Sequence, residues 1–245
     1  MDLIGATLAW IAGFVGSGEL WQRLGEHLTY TFGSVLIALV IAVPIGYLIG
    51  HTGKGRELAV GITGAARALP SFGLMLLLVS LVGVVQRPIA AYAAFVILAV
   101  PSILAGAYSG IQAIDKTTVD AARAIGMTEW QILWKVEAPL GLRLLVGGIR
   151  SATLQVVATV TLAAYINLGG LGYPLLQAIP LRRDEQAFGA AIIVIVLALL
   201  LDAAFGLIGV LLDRLIPTGA APRRPRRPRA VPTRRARMVE APTAS

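Results

Sequence analysis

Apolar runs of membrane-crossing length alternate with short polar intervals along most of the chain. Hydrocarbon about 30 Å thick takes about 20 apolar helical residues at 1.5 Å each. Residues 28–49, 69–85, 89–111, 142–166 and 188–212 approach or meet that length. The pattern therefore predicts an all-α integral membrane protein with five core transmembrane helices. Pro44 and Gly46 predict a kink near the end of the first. Pro70 opens the second, where proline is tolerated, and Pro101 lies inside the third. The fourth is rich in small and hydroxylated residues: Gly147, Gly148, Ser151, Ala152, Thr153, Ala158, Thr159 and Thr161. Such residues let membrane helices approach closely or line a polar path. Residues 3–15 are apolar but too short for a regular crossing, and lack the basic start of a secretory signal. They predict an interfacial or scaffolding helix within residues 1–26, kept in the mature protein; a sixth, tilted span is the alternative. Trp10 and Trp21 fit the aromatic enrichment at membrane surfaces.

The longest polar interval, residues 116–139, encodes two short helices of its own. Thr117 and Asp120 have capping-box spacing, and Gly126 is suited to the left-handed end of a first helix. Thr128 and Gln131 form a second box, with Met127 and Ile132 at staple spacing. The second helix should stop near Ala138, because the residue before Pro139 is pushed out of the helical region.

Asp120-Ala121-Ala122, Gly126, Val136, Ala138 and Pro139, at their spacing, resemble the cytoplasmic "EAA" loop of ABC importer permeases. Asp replaces the family's leading Glu, Val an Ile, and Ala the Leu before proline, each keeping charge or apolar character. The resemblance implies that 116–139 is the coupling loop that docks on the ATP-hydrolysing subunit, with Asp120, Ala121, Ala122, Gly126, Glu137 and Pro139 as its marked positions. The plainer reading is that Asp120 caps its helix and the alanines favour helix. Lys135 and Glu137 are left between bonding the ATPase and facing water.

Further stretches are similar to the quaternary-amine (glycine betaine, carnitine, choline) branch of these permeases. They are Glu26-His27-Leu28-Thr29, Arg67-Ala68-Leu69-Pro70-Ser71, Gly126-Met127-Thr128, Gly147-Gly148-Ile149-Arg150-Ser151-Ala152, Gly169-Gly170-Leu171-Gly172 and Leu199-Leu200-Leu201-Asp202. The resemblance implies the methionine-permease-like type I importer fold over residues 27–216, dimerising with an identical or related permease. It implies ABC ATPase subunits that bind ATP and Mg, no cofactor in this subunit, and a separate extracytoplasmic substrate-binding protein. Permeases of the same fold for an amino acid or a sulfonate are the alternative.

Composition narrows the class. The 245 residues are 57% hydrophobic and 14% charged, where soluble domains carry about a quarter charged. The absence of cysteine excludes disulfides and thiolate metal sites, and His27 and His51 stand far apart without a ligand cluster. The net charge of +8 does not indicate nucleic acid, because residues 217–245 hold eight Arg and one Glu, a net of 8 − 1 = +7. That Pro/Arg-rich tail has no apolar periodicity and should be disordered. It either attracts anionic lipid or only reinforces topology. With five spans, Lys54, Arg56, Arg67, Lys116, Arg123, Lys135 and the tail fall on one side, and only Arg87, Arg182 and Arg183 on the other. The positive-inside rule then makes 116–139 and the C-terminus cytoplasmic and the N-terminus external, in a bacterial or archaeal cytoplasmic membrane.

Two charges interrupt the spans. Arg150 and Asp202 are each about nine to eleven residues from the cytoplasmic ends, roughly 14–17 Å deep. Equal depth predicts an intramembrane ion pair that fixes helix register, with substrate contact as the alternative. Tyr92, Tyr108, Tyr165 and Tyr173 offer ring faces to a quaternary ammonium but suit headgroup anchoring better. His27 reads as an interfacial polar residue. There is no glycine-lysine phosphate loop for hydrolysis in this chain, no clustered carboxylates or histidines for a membrane enzyme, and no inverted repeat for an ion-coupled carrier.

Overall fold

The computed structural model describes residues 2–215, and the tail 217–245 lies outside them. Among the described residues the chain forms α1 (Leu3–Gly16), α2 (Glu19–Thr52), α3 (Arg56–Ala68), α4 (Ser71–Val82) and α5 (Arg87–Gln112). It continues with α6 (Lys116–Ala124), α7 (Glu129–Ile132), α8 (Ala138–Val160), α9 (Gly172–Ala178) and α10 (Asp184–Leu215). Four stretches are long and apolar enough to cross a membrane: Glu19–Thr52, Val84–Gln112, Glu129–Ile166 and Asp184–Leu215.

The second predicted span, 69–85, needs correction. Its helix, α4, has 12 residues, about 18 Å of rise. Pro70 takes up extended backbone before it, and Gly83 leaves the helix at φ +87°. The chain nevertheless returns across the bundle there. Gly33 lies against Tyr92, Gly46 against Ala107 and Gly50 against Ile111, so α2 and α5 run parallel. The segment between Thr52 and Arg87 must therefore travel from one end to the other, divided between α3 and α4. Five traverses survive, one of them broken. The first starts earlier than expected, at Glu19, and is continuous through residues 26 and 27.

α5 is the central helix. Ala91, Ala94, Phe95, Ala99, Ile103 and Ala107 are all fully buried on it. It meets α8 backbone to backbone, through Gly106 with Gly148 and Gly110 with Gly141. Cβ atoms there would stand 2.5–2.9 Å from the facing backbone, so glycine is required for this approach. Gly147 faces open space. α10 lies at the periphery, held to α8 by Arg150–Asp202 and Arg143–Asp213 and covered in part by α1. Trp10 of α1 stacks on Phe14 and covers Gly189 of α10. α1 thus scaffolds α10.

Candidate functional site

The polar interval folds into a hook at the end of the bundle where α2 finishes. Its first helix begins two positions earlier than the Thr117 box implies. Asp115 is the N-cap, and its carboxylate accepts from the Thr117 backbone N–H at 3.0 Å. Asp beats Thr here because its extended backbone points the carboxylate at the free N–H groups of the first turn. The helix closes as expected at Gly126, with φ +88°. Gly126 N–H donates to Arg123 O, and Met127 N–H to Ala122 O. These are the two bonds of a Schellman ending. The Thr128 box is present in both directions: Thr128 N–H donates to Gln131 Oε1 at 2.9 Å, and Gln131 N–H to Thr128 Oγ1 at 3.3 Å.

The second helix does not stop at Ala138. It runs without a break from Glu129 through a π turn at Leu133–Glu137 into α8. Ala138 N–H reaches back five residues to Leu133 O. Proline lacks an N–H and its ring collides with the carbonyl four residues before it. The widened turn gives Pro139 room near the start of α8. The second hook helix and the membrane helix are therefore one rod.

The marked residues divide into an inner and an outer set. Ala122 is buried and Ala121 exposed. Asp120 does not cap; its carboxylate takes Arg123 Nη1 at 3.1 Å. Arg123 also grips Glu129, donating from Nε at 2.7 Å and Nη2 at 3.0 Å. Glu129 first, then Asp120, holds the Arg123 guanidinium above its ordinary pKa. Glu137 turns inward, neither toward a partner nor toward water. It is buried, with Oε2 2.6 Å from His51 Nδ1. His51 Nε2 lies 3.3 Å from Glu129. Lys135 is exposed. Ile125, 80% exposed, and Trp130, 64% exposed, give the hook an apolar outer face. Trp130 meets Trp134 edge to face, and Trp134 rests on Tyr47 of α2.

Midway along the bundle, Arg150 and Asp202 form the pair expected from depth. Nε–Oδ1 and Nη2–Oδ2 are both 2.6 Å.

At the opposite end the polar contacts close on the Gly169-Gly170 turn. His27 is fully buried, not interfacial. Its Nδ1 accepts the Leu171 backbone N–H at 3.3 Å, so Nε2 carries the proton and donates to Val157 O at 3.1 Å. Glu26 accepts the Gly170 N–H at 2.8 Å. Arg23 bonds Glu26 and lies 4.0 Å over the Tyr173 ring, whose cation is thus supplied internally. Tyr92 packs on Tyr30, and Tyr165 on Phe72. Two of the family-like stretches, Glu26-His27-Leu28-Thr29 and Gly169-Gly170-Leu171-Gly172, meet in this cluster. Among the described residues no group of three or more His, Asp or Glu is placed to hold a metal ion.

Membrane-length helices, a hook continuous with one of them and an internal ion pair define the transmembrane subunit of a transporter. The chain belongs to the family described as "Binding-protein-dependent transport system inner membrane component", whose model matches residues 34–216. It is 32% identical over 185 residues to the glycine betaine/carnitine/choline transport system permease protein OpuCB of Bacillus subtilis, covering 76% of this chain and 84% of that one. It is 33% identical over 192 residues to the osmoprotectant import permease protein OsmW of Salmonella typhimurium, covering 76% and 88%. In fold it is similar to a chain of the inward-facing MetNI methionine ABC transporter, with TM-score 0.68 over 79% of this chain and 95% of that one. At 23% identity, that likeness concerns fold alone. The fold is the all-helical type I permease fold of ABC importers.

Proposed function

We propose that the chain forms the translocation path of an ATP-driven importer for a quaternary-amine compatible solute such as glycine betaine, carnitine or choline. Substrate comes from an extracytoplasmic binding protein, and a second identical or related permease completes the path. ATP and Mg are bound and hydrolysed on partner ATPase subunits. The hook at 116–139 docks on them in the cytoplasm, with the N-terminus outside. The observation that carries this reading is the hook whose second helix is one rod with α8, with Ile125 and Trp130 of the hook exposed. A separately capped, rigidly attached apolar protrusion suits an interface that moves as a lever. The substrate class is supported by the relatives' names, and the side by the lysines and arginines at the hook end. When nucleotide closes the ATPase pair, approaching hooks would rock the spans and alternate access.

The test is uptake in proteoliposomes holding the permease with its cognate ATPase and binding protein. Radiolabelled glycine betaine, carnitine and choline are the probes. Uptake of at least one should require both ATP and the binding protein. Uptake that ignores nucleotide would overturn the mechanism. Uptake of an amino acid or sulfonate only would overturn the substrate class.

A further inference from the structure

We propose that His51 is a positioning residue for energy coupling, tying the end of α2 to the hook so that hook movement reaches α2 directly. This rests on the coupling role proposed above for 116–139. The backbone already joins the hook to α5 on one side, through 113–115, and to α8 on the other. It gives α2 no such connection. Side chains supply one at two points a helical turn apart on one face of α2: Tyr47 beneath Trp134, and His51 against Glu137.

The second point is the more specific. His51 has a carboxylate at each ring nitrogen, Glu137 at 2.6 Å from Nδ1 and Glu129 at 3.3 Å from Nε2. The Glu137 contact is a hydrogen bond, and Glu129 lies within ion-pair distance of the other ring nitrogen. Glu137 is itself buried, and a buried carboxylate requires a partner. Beside His51, Gly50 packs on Ile111 and the Tyr108 backbone of α5. From Glu129 the series continues through Arg123 to Asp120. Five charged or ionisable side chains thus run unbroken from the first hook helix to the root of α8, and His51 is their only member on a separate crossing helix.

Leu133 and Glu137 both end up buried while Trp134 and Lys135 stay out. Glu137 therefore faces α2 while the hook's outer face stays free.

The experiment uses the reconstituted complex and whichever of glycine betaine, carnitine or choline it transports. Three quantities are read for each variant: assembled complex, ATP hydrolysis per complex, and solute moved per ATP hydrolysed. His51→Ala should still assemble and hydrolyse ATP, but solute per ATP should fall about tenfold, the scale of one charge-assisted hydrogen bond lost from the linkage. His51→Lys keeps a nitrogen donor for Glu137 and should recover most of the loss. Combining His51→Ala with Glu137→Gln should cost no more than His51→Ala alone, because both break one linkage. An unchanged ratio in His51→Ala overturns the proposal. So does a parallel loss of assembly, hydrolysis and transport that His51→Lys fails to recover, since that marks a purely structural contact. Wild-type uptake that is independent of ATP is a different result, and it overturns the coupling reading beneath.

Discussion

Arg150 and Asp202 face each other through two parallel 2.6 Å hydrogen bonds between α8 and α10. A fork-to-fork pair fixes both the depth and the rotation of two antiparallel helices, which apolar contacts alone do not. In the single chain both side chains remain partly open, 42% and 35% exposed. A lone charge at that depth is disfavoured whichever partner is removed. Arg150→Gln and Asp202→Asn are therefore each expected to lower the yield of folded, monodisperse protein by about threefold or more. Exchanging the residues, Arg150→Asp with Asp202→Arg, should restore most of it. Size-exclusion chromatography of a fluorescent fusion measures the outcome. A swap that does no better than the singles argues against the pair as a structural fastener.

That pair was legible in the sequence because depth can be counted from span ends. The hook was legible for a related reason: caps and glycine endings act within about four residues of themselves, so Thr128, Gln131 and Gly126 declare their own geometry. What escaped reading depends on distant residues. Glu137 turns inward because His51, 86 residues away, is there to receive it, and the π turn belongs to the same arrangement. His27 looked interfacial because its partners, Val157 and Leu171, lie 130 and 144 positions on. Hydropathy likewise counted 69–85 as one crossing, although Pro70 and Gly83 restrict the helix to 12 residues. Asp115 rather than Thr117 caps the first hook helix, a choice set by backbone angles that the sequence does not display.

Glycine identity on α5 and α8 should matter by position rather than by number. A methyl at Gly110 would stand 2.5 Å from Gly141 O, and one at Gly148 2.6 Å from Ser102 O. Backbone atoms cannot move aside as side-chain tips can. Gly110→Ala and Gly148→Ala should each cost about 1–3 kcal/mol, the usual range for overpacking. Gly147→Ala, with nothing within 4 Å of the new methyl, should leave stability unchanged or slightly raised. Thermal unfolding of the three purified variants in one detergent decides it. Equal shifts at positions 147 and 148 would show that helix propensity, not close approach, governs this face.

His27→Leu should loosen the Gly169-Gly170 turn. The apolar replacement leaves the Leu171 N–H without its acceptor in a buried site, at about 1–3 kcal/mol. Glu26 still holds the Gly170 N–H, so the turn should open locally while the bundle stays folded. Hydrogen exchange across residues 167–173 should quicken, with α5 unaffected. Protection unchanged at Leu171 would mean that the histidine contact contributes little.

The hook's outer face offers the most direct test of how the subunit is driven. Ile125 and Trp130 are largely exposed, so nothing in the isolated permease depends on them for burial. Aromatic and aliphatic anchors at interface centres commonly contribute about 2 kcal/mol or more, which is about 30-fold in affinity. Trp130→Asp and Ile125→Asp should accordingly reduce recovery of the ATPase with the permease by about that factor while leaving the permease's own melting temperature in place. Arg123→Ala makes a useful contrast. It removes the clamp that joins Asp120 to Glu129 without touching the apolar face, so it should soften the hook and weaken docking less. Pull-down of the ATPase by tagged permease, read beside thermal unfolding, separates the cases. Full ATPase recovery with both aspartate variants would place the docking surface elsewhere on the chain.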